Sequence, residues 1–176
     1  MTSKHKDQRV SVFIDVQNLY HSAKNIHQAR VNFREILRAA ISGRRLIRSF
    51  AYVVRTKTGE EKPFFDALVN LGIETRIKDL QEYYGGLKKA DWDVGIAVDA
   101  IKTADMVDTV VLVSGDGDYV PLVEYLQNHG KRVEVLAFGK STSSRLREVA
   151  DEFEDLDGEN DKYLLKKSKW PINIGK

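Results

Sequence analysis

The sequence predicts a single α/β domain: a mostly parallel, five-stranded sheet covered by helices on both faces. Three observations predict it. Five short runs rich in Val, Ile, Leu and Phe are spaced along the chain, two of them apolar on successive residues, as strands buried on both faces read. Segments of helical periodicity separate them, and that alternation calls for right-handed crossovers. At 176 residues the chain fits one domain with a sizeable core.

The first strand is expected over 10–15, ending on Asp15. "FREILRAAI" then places Phe33, Ile36, Leu37, Ala40 and Ile41 on one helical face. A second strand over 46–55 leads to "KPFFDALVNLG", a helix with Pro63 near its first turn and Gly72 at its close, the positions these residues favour. The third strand is expected over 73–78. "DWDVGIAVDAIKTA" is a helix that runs directly into a fourth strand over 108–114. "YVPLVEYLQNHG" is the next helix, closing on Gly130, and the fifth strand covers 133–138. "STSSRLREVAD" opens a last helix with Ser143 or Ser144 as its cap. The domain is thus expected over 10–156, behind a flexible N-terminus (1–9). Residues 157–176, polar and then basic with interleaved aromatics, read as a helix and tail.

Composition narrows the chemistry. The chain is 42% hydrophobic and 31% charged, as soluble globular proteins are. Its net charge of +2 excludes a wholesale basic field, although 28 Lys and Arg residues leave room for local patches. It contains no cysteine, which excludes disulfides, zinc-thiolate sites and cysteine nucleophiles and suits a reducing compartment. No apolar run matches a signal peptide or a membrane span, so the cytoplasm is the expected location and no membrane partner is expected.

The acids are the informative residues. In an open parallel sheet, function gathers at the carboxyl ends of the strands, where the strand order reverses. Asp15 ends strand one, and Asp116 and Asp118 follow strand four in "VSGDGDYV". If those strands are central neighbours, the three carboxylates share a crevice, with Asn18 one helical turn beyond Asp15. The helix that feeds strand four runs antiparallel to it, so its N-terminus brings Asp91 or Asp93 to the same edge. Asp99 lies further along that helix. Carboxylates and an Asn, without Cys or His, form an oxygen-only set suited to one or two Mg²⁺ or Mn²⁺ ions. Such ions activate water and stabilise phosphoryl oxygens.

"VFIDVQNLY", "DWDVGIAVDA" and "VLVSGDGDYVPLV" together resemble the NYN domain, in its LabA-like branch of the PIN-like ribonucleases. The resemblance runs from about residue 10 to about residue 156. It implies strand order 3-2-1-4-5, an acidic Mg²⁺ or Mn²⁺ pocket and hydrolysis of RNA. Asp15, Asn18, Asp93, Asp116 and Asp118 match the family's motif positions, and Asp99 matches a second acid in the helix. The family's last motif often reads Ser-Gly-Asp-Ser-Asp-Phe. Here Gly117 and Tyr119 replace its last Ser and its Phe, so a hydroxyl near the acids is missing. The Lys-Gly pair that commonly precedes the helix acid is replaced by "KKADWD", which leaves Asp91 and Asp93 both open.

Each residue also has a plainer reading. Asp15, Asp93 and Asp118 are good helix caps, and Asp99 suits a salt bridge. Ser114 is a turn residue or a support for the acids. Tyr20 and Trp92 can stack on bases or pack in the core. Lys88, Lys89 and Arg145 can hold phosphate or simply be solvated, as can Arg44, Arg45 and Arg48 or Lys166, Lys167 and Lys169 beside Trp170. The four histidines show no ligand spacing. A phosphotransfer receiver is rejected because its acid pair would follow the first strand. The expectation is a metal-dependent ribonuclease with Asp15, Asp93, Asp116 and Asp118 at its centre and RNA as partner. The alternative is an RNA- or protein-binding module without turnover. An open sheet edge or the basic-aromatic tail could support a homodimer.

Overall fold

Every residue after the first in β1 (Arg9–Asp15) is buried, because strands flank it on both sides and helices cover both faces. The computed structural model describes residues 4–158 and 161–165. After β1 come α1 (Val16–Ser22), a π-helical turn over Ala23–His27, β2 (Arg30–Val31), α2 (Phe33–Ile41) and β3 (Arg45–Arg55). They are followed by α3 (Lys62–Asn70), β4 (Glu74–Asp79), the small hairpin β5 (Gln81–Glu82) and β6 (Lys88–Lys89), α4 (Asp93–Thr103) and β7 (Thr109–Val113). The chain continues through α5 (Val120–Asn128), β8 (Arg132–Ala137), α6 (Ser144–Val149), β9 (Glu152–Asp155) and β10 (Leu164–Leu165).

The main sheet has the order β4-β3-β1-β7-β8-β9, and every pairing in it is parallel. All five expected strands are present, in the expected order. β9 adds a sixth at the edge. Its sequence, EFED, is half buried and mostly acidic, so it lacks the apolar run that marks the inner strands. Side chains alternate along β1. Val12 and Ile14 face a core with Leu19, Ile36, Phe64 and Leu68, whereas Phe13 faces one with Phe50, Ile96, Leu122 and Leu126. The sheet is therefore covered by α1–α3 on one face and α4–α6 on the other.

Local chemistry sets the helix ends. Asn32 Oδ1 accepts from the Glu35 N–H at 3.4 Å, and α2 closes at Ser42 in the left-handed region. Pro63 and Pro121 stand in the first turns of α3 and α5, where a missing N–H costs nothing. Of the two candidate caps for α6, Ser143 is the one that bonds, accepting from Leu146 N–H.

Segments outside 10–156 also contribute to the described structure. Lys4 pairs with Glu152 at 2.8 Å, and Arg9 already belongs to β1. In the C-terminal segment, Leu164 and Leu165 form a strand, antiparallel to β2, rather than a helix. Tyr163 is buried in the core and donates to Glu154 at 2.6 Å, while Leu165 lines a neighbouring cavity. Lys166, Lys167, Lys169 and Trp170 lie outside the described residues.

Candidate metal centre

Strand order places the site. β1 and β7 are parallel neighbours, with Ile14 opposite Val113, so Asp15 and Ser114 emerge side by side where the topology reverses direction. Asp15 is buried and caps α1, its Oδ1 accepting from the Asn18 N–H at 3.2 Å. Its Oδ2 accepts from Ser114 Oγ at 3.1 Å. Asn18 reaches across instead of bonding Asp15 through its side chain: its Oδ1 accepts from the Gly115 N–H at 2.9 Å. α1 is thereby tied to the turn that carries the acid doublet.

Asp116, not Asp118, caps that turn, accepting the Asp118 N–H at 2.9 Å. The Asp116 N–H in turn donates to Ser114 Oγ at 3.2 Å. From the start of α4, Asp93 joins the doublet, and carboxylate oxygens of Asp93, Asp116 and Asp118 all lie within 4.8 Å of one another. Asp15 stands behind this group and is connected to it by Tyr119, whose hydroxyl lies 3.3 Å from Asp15 Oδ2 and 3.1 Å from Asp93 Oδ1.

The electrostatics follow from this crowding. Burial is the largest cause that pushes Asp15 up to about 6, opposed by the Asn18 and Ser114 hydrogen bonds and reinforced by the charges of Asp93 and Asp116. Asp93 is also raised, again mainly by burial, with the Tyr119 bond opposing. Burial and the adjacent acids push the Tyr119 phenol up as well, so it remains a donor. It has one proton and two carboxylates to serve. The all-oxygen donor set of this group of acids fits Mg²⁺ or Mn²⁺.

The other sequence candidates are placed elsewhere. Asp91 is exposed just before α4 and outside the triad; its backbone carbonyl accepts from Lys78 Nζ at 2.7 Å. Asp99 accepts from the Tyr52 hydroxyl at 2.8 Å and pairs with Arg76 at 3.3 Å, the salt-bridge alternative. Trp92 is half-buried; its Nε1 donates to the Val53 carbonyl at 3.0 Å, and its ring packs edge-on to Tyr52. Tyr20 lines the cavity under α1. Lys88 lies 4.0 Å from Glu82, and Arg145 lies 3.6 Å from Glu124. Lys89 belongs to β6. Arg44 is buried against Glu134 and Arg48 is paired with Glu74, so this run is not a free basic face.

Sequence reasoning missed one hydroxyl. Tyr119 entered only as a departure from Phe, yet its extra oxygen joins two of the acids. Close to Gly117 stands the Ser143 side chain, from the loop after β8. A Cβ on Gly117 would stand 2.8 Å from Ser143 Oγ, and one on Gly115 would stand 2.7 Å from Thr142 Oγ1. The loop after β8 packs onto the acid turn, with the Ser143 N–H donating to the Gly115 carbonyl at 3.0 Å. A side chain at either position would force Thr142 or Ser143 to shift.

The sequence profile of the NYN domain matches residues 9–157. The chain belongs to the NYN domain family. It is 27% identical over 158 residues to "Low amplitude and bright protein LabA" of Synechococcus elongatus, covering 84% of this chain and 83% of that protein. It is 25% identical over 150 residues to "Uncharacterized protein MJ0482" of Methanocaldococcus jannaschii, covering 82% of this chain but 54% of that longer protein. Among solved structures it is similar to a protein of unknown function, VPA0982, from Vibrio parahaemolyticus. The TM-score is 0.83 at 31% identity, over 93% of this chain and 100% of that one. This NYN domain is thus LabA-like in sequence and shares its fold with a crystal structure. Among the described residues, no helix is long and apolar enough to cross a membrane.

Proposed function

We propose that this NYN domain is a metal-dependent ribonuclease that hydrolyses RNA phosphodiester bonds at the crevice between β1 and β7. The observation that carries the reading is the convergence of Asp93, Asp116 and Asp118 within 4.8 Å, backed by buried Asp15. Asp93, Asp116 and Asp118 would hold one or two Mg²⁺ or Mn²⁺ ions, with Asp15 as an inner ligand or water acceptor. A divalent cation there supplies Lewis acidity, acidifying water and neutralising charge on the phosphoryl oxygens. The protein's own groups do the rest. Ser114 and Tyr119 fix the Asp15 carboxylate, Tyr119 also orients Asp93, and Asn18 holds the acid turn against α1.

RNA access is supported by the β5–β6 hairpin. It joins the carboxyl end of β4 to the start of α4 and so stands at the same edge as the acids. It presents Tyr83 and Tyr84, both exposed, which suits stacking on unpaired bases. The alternative, a binding module without turnover, rests on the missing hydroxyl at Gly117, and the cleavage assay decides between the two.

The test is cleavage of a mixed single-stranded and hairpin RNA pool with Mg²⁺, with Mn²⁺ and with chelator, comparing wild type with Asp116→Asn. Metal-dependent cutting that vanishes in the variant is the expected result. RNA binding without cutting under either metal would replace the enzyme with the binding module.

A further inference from the structure

On the face of the sheet covered by α1–α3, β2 and β10 leave a cavity of about 380 Å³, within the size range of small-ligand sites. Its walls are mainly apolar, with Phe33, Phe64, Leu68 and Leu71 contributing from α2 and α3. Arg30 breaks this pattern. It lines the cavity from β2, and its Nη1 is shielded from solvent with no hydrogen-bond partner among the described residues. A guanidinium nitrogen withdrawn from water without an acceptor is costly, and native proteins rarely leave one so. An apolar wall with one unsatisfied cationic donor is complementary to an apolar body carrying one anionic head.

We propose that this cavity binds a small organic acid, an alkyl chain or ring with a single carboxylate, whose head accepts from Arg30 and whose body fills the space between Phe33, Phe64, Leu68 and Leu71. A carboxylate matches the planar guanidinium fork. Asn32 and Arg34 also line the wall, Arg34 itself being exposed to solvent. The site is separate from the acidic crevice but shares α1 with it. Val16 and Tyr20 line the cavity, while Asp15 caps the same helix and Asn18 anchors it to Gly115.

The test uses the full chain, monomeric fractions and three probes: the fluorescent aromatic sulfonate anilinonaphthalene sulfonate, decanoate and the neutral isostere decanol. The sulfonate should bind saturably, and decanoate should displace it at least about tenfold more effectively than decanol, as a charge-assisted hydrogen bond requires. Methyl resonances of Val31, Leu68 and Leu71 should shift with decanoate. Arg30→Met should abolish the preference for the acid over the alcohol. Because it removes a partly buried cation whose shielded Nη1 has no partner among the described residues, it should melt no lower than wild type without ligand. Equal competition by acid and alcohol, or a preference that survives in Arg30→Met, overturns the proposal. So does a lower melting temperature of Arg30→Met, which would reveal an internal partner. Absence of saturable binding overturns it too, and leaves the segment after Leu165 or a second copy as the occupant.

Discussion

The Tyr119 hydroxyl lies 3.1 Å from Asp93 Oδ1 and links the start of α4 to the turn after β7. That bond favours the ionised form of Asp93 and partly offsets the effect of its burial. Tyr119→Phe removes the bond and restores the residue common in the family motif. The variant should fold, lose about 1 kcal/mol of stability and bind Mn²⁺ with a pH midpoint shifted upward, because Asp93 then rises further. Manganese titrations followed by EPR across pH check this. A midpoint that does not move would mean that the phenol is only packing.

Asp15 gives the apo protein a pH dependence whose sign can be worked out. Its folded value, about 6, stands above the ordinary 3.8, so folding favours the protonated acid. Its contribution is most favourable below 3.8 and is lost as pH rises through about 6. Carboxylates held low by cations, Glu134 and Asp108 among them, titrate in the opposite sense, so the Asp15 contribution is read as the difference between wild type and Asp15→Asn. The apo wild-type melting temperature should fall relative to that of Asp15→Asn across the window. Saturating Mg²⁺ should reverse the trend in that difference, since cation binding needs the carboxylate. An apo difference that rises in favour of wild type from pH 3.8 to 6 would contradict the assignment.

The central architecture was legible because buried parallel strands and amphipathic helices have strong periodic signatures. Val12 to Ile14 and Val110 to Val113 are continuous apolar runs, and the segments that follow them carry acids that the crevice brings together. The rest was illegible for physical reasons. β9 is short, acidic and at the edge. Leu164 and Leu165 are two residues whose strand pairing depends on β2, remote in sequence. Asp99 and Asp93 are equally acidic in the sequence; only Arg76 and Tyr52, brought up from β4 and β3, separate an ion pair from a member of the metal group. The Ser143 hydroxyl reaches Gly117 only through tertiary packing.

That packing yields a paired prediction. Gly117→Ser places a Cβ 2.8 Å from Ser143 Oγ and 3.0 Å from Ser143 Cβ, so Ser143 must give way. Its hydroxyl also caps α6, and losing the cap costs about 1 kcal/mol. Gly117→Ser alone should be destabilised by at least that amount. Adding Ser143→Gly, which frees the space and is tolerated at a cap, should recover most of the loss. Urea denaturation of the two single variants and the double variant gives the coupling, and strict additivity would show that the two residues do not compete for space.

The amino end of the sheet carries a different risk. Glu134 on β8 is buried beneath Arg44, with contacts of 2.7 and 2.9 Å, and also accepts from Arg132 Nε at 3.0 Å. These cations hold Glu134 below the usual carboxylate range against the effect of burial. Glu134→Ala strands the Arg44 guanidinium, whose side chain has no solvent exposure, and a buried charge that loses its partner costs about 3–5 kcal/mol. The variant should melt far below wild type while the acidic crevice, at the opposite end of the strands, keeps its Mn²⁺ affinity in whatever fraction stays folded. Glu134→Met paired with Arg44→Met removes both charges and should regain most of the loss. If the double variant is no more stable than Glu134→Ala, packing rather than the stranded charge accounts for the cost.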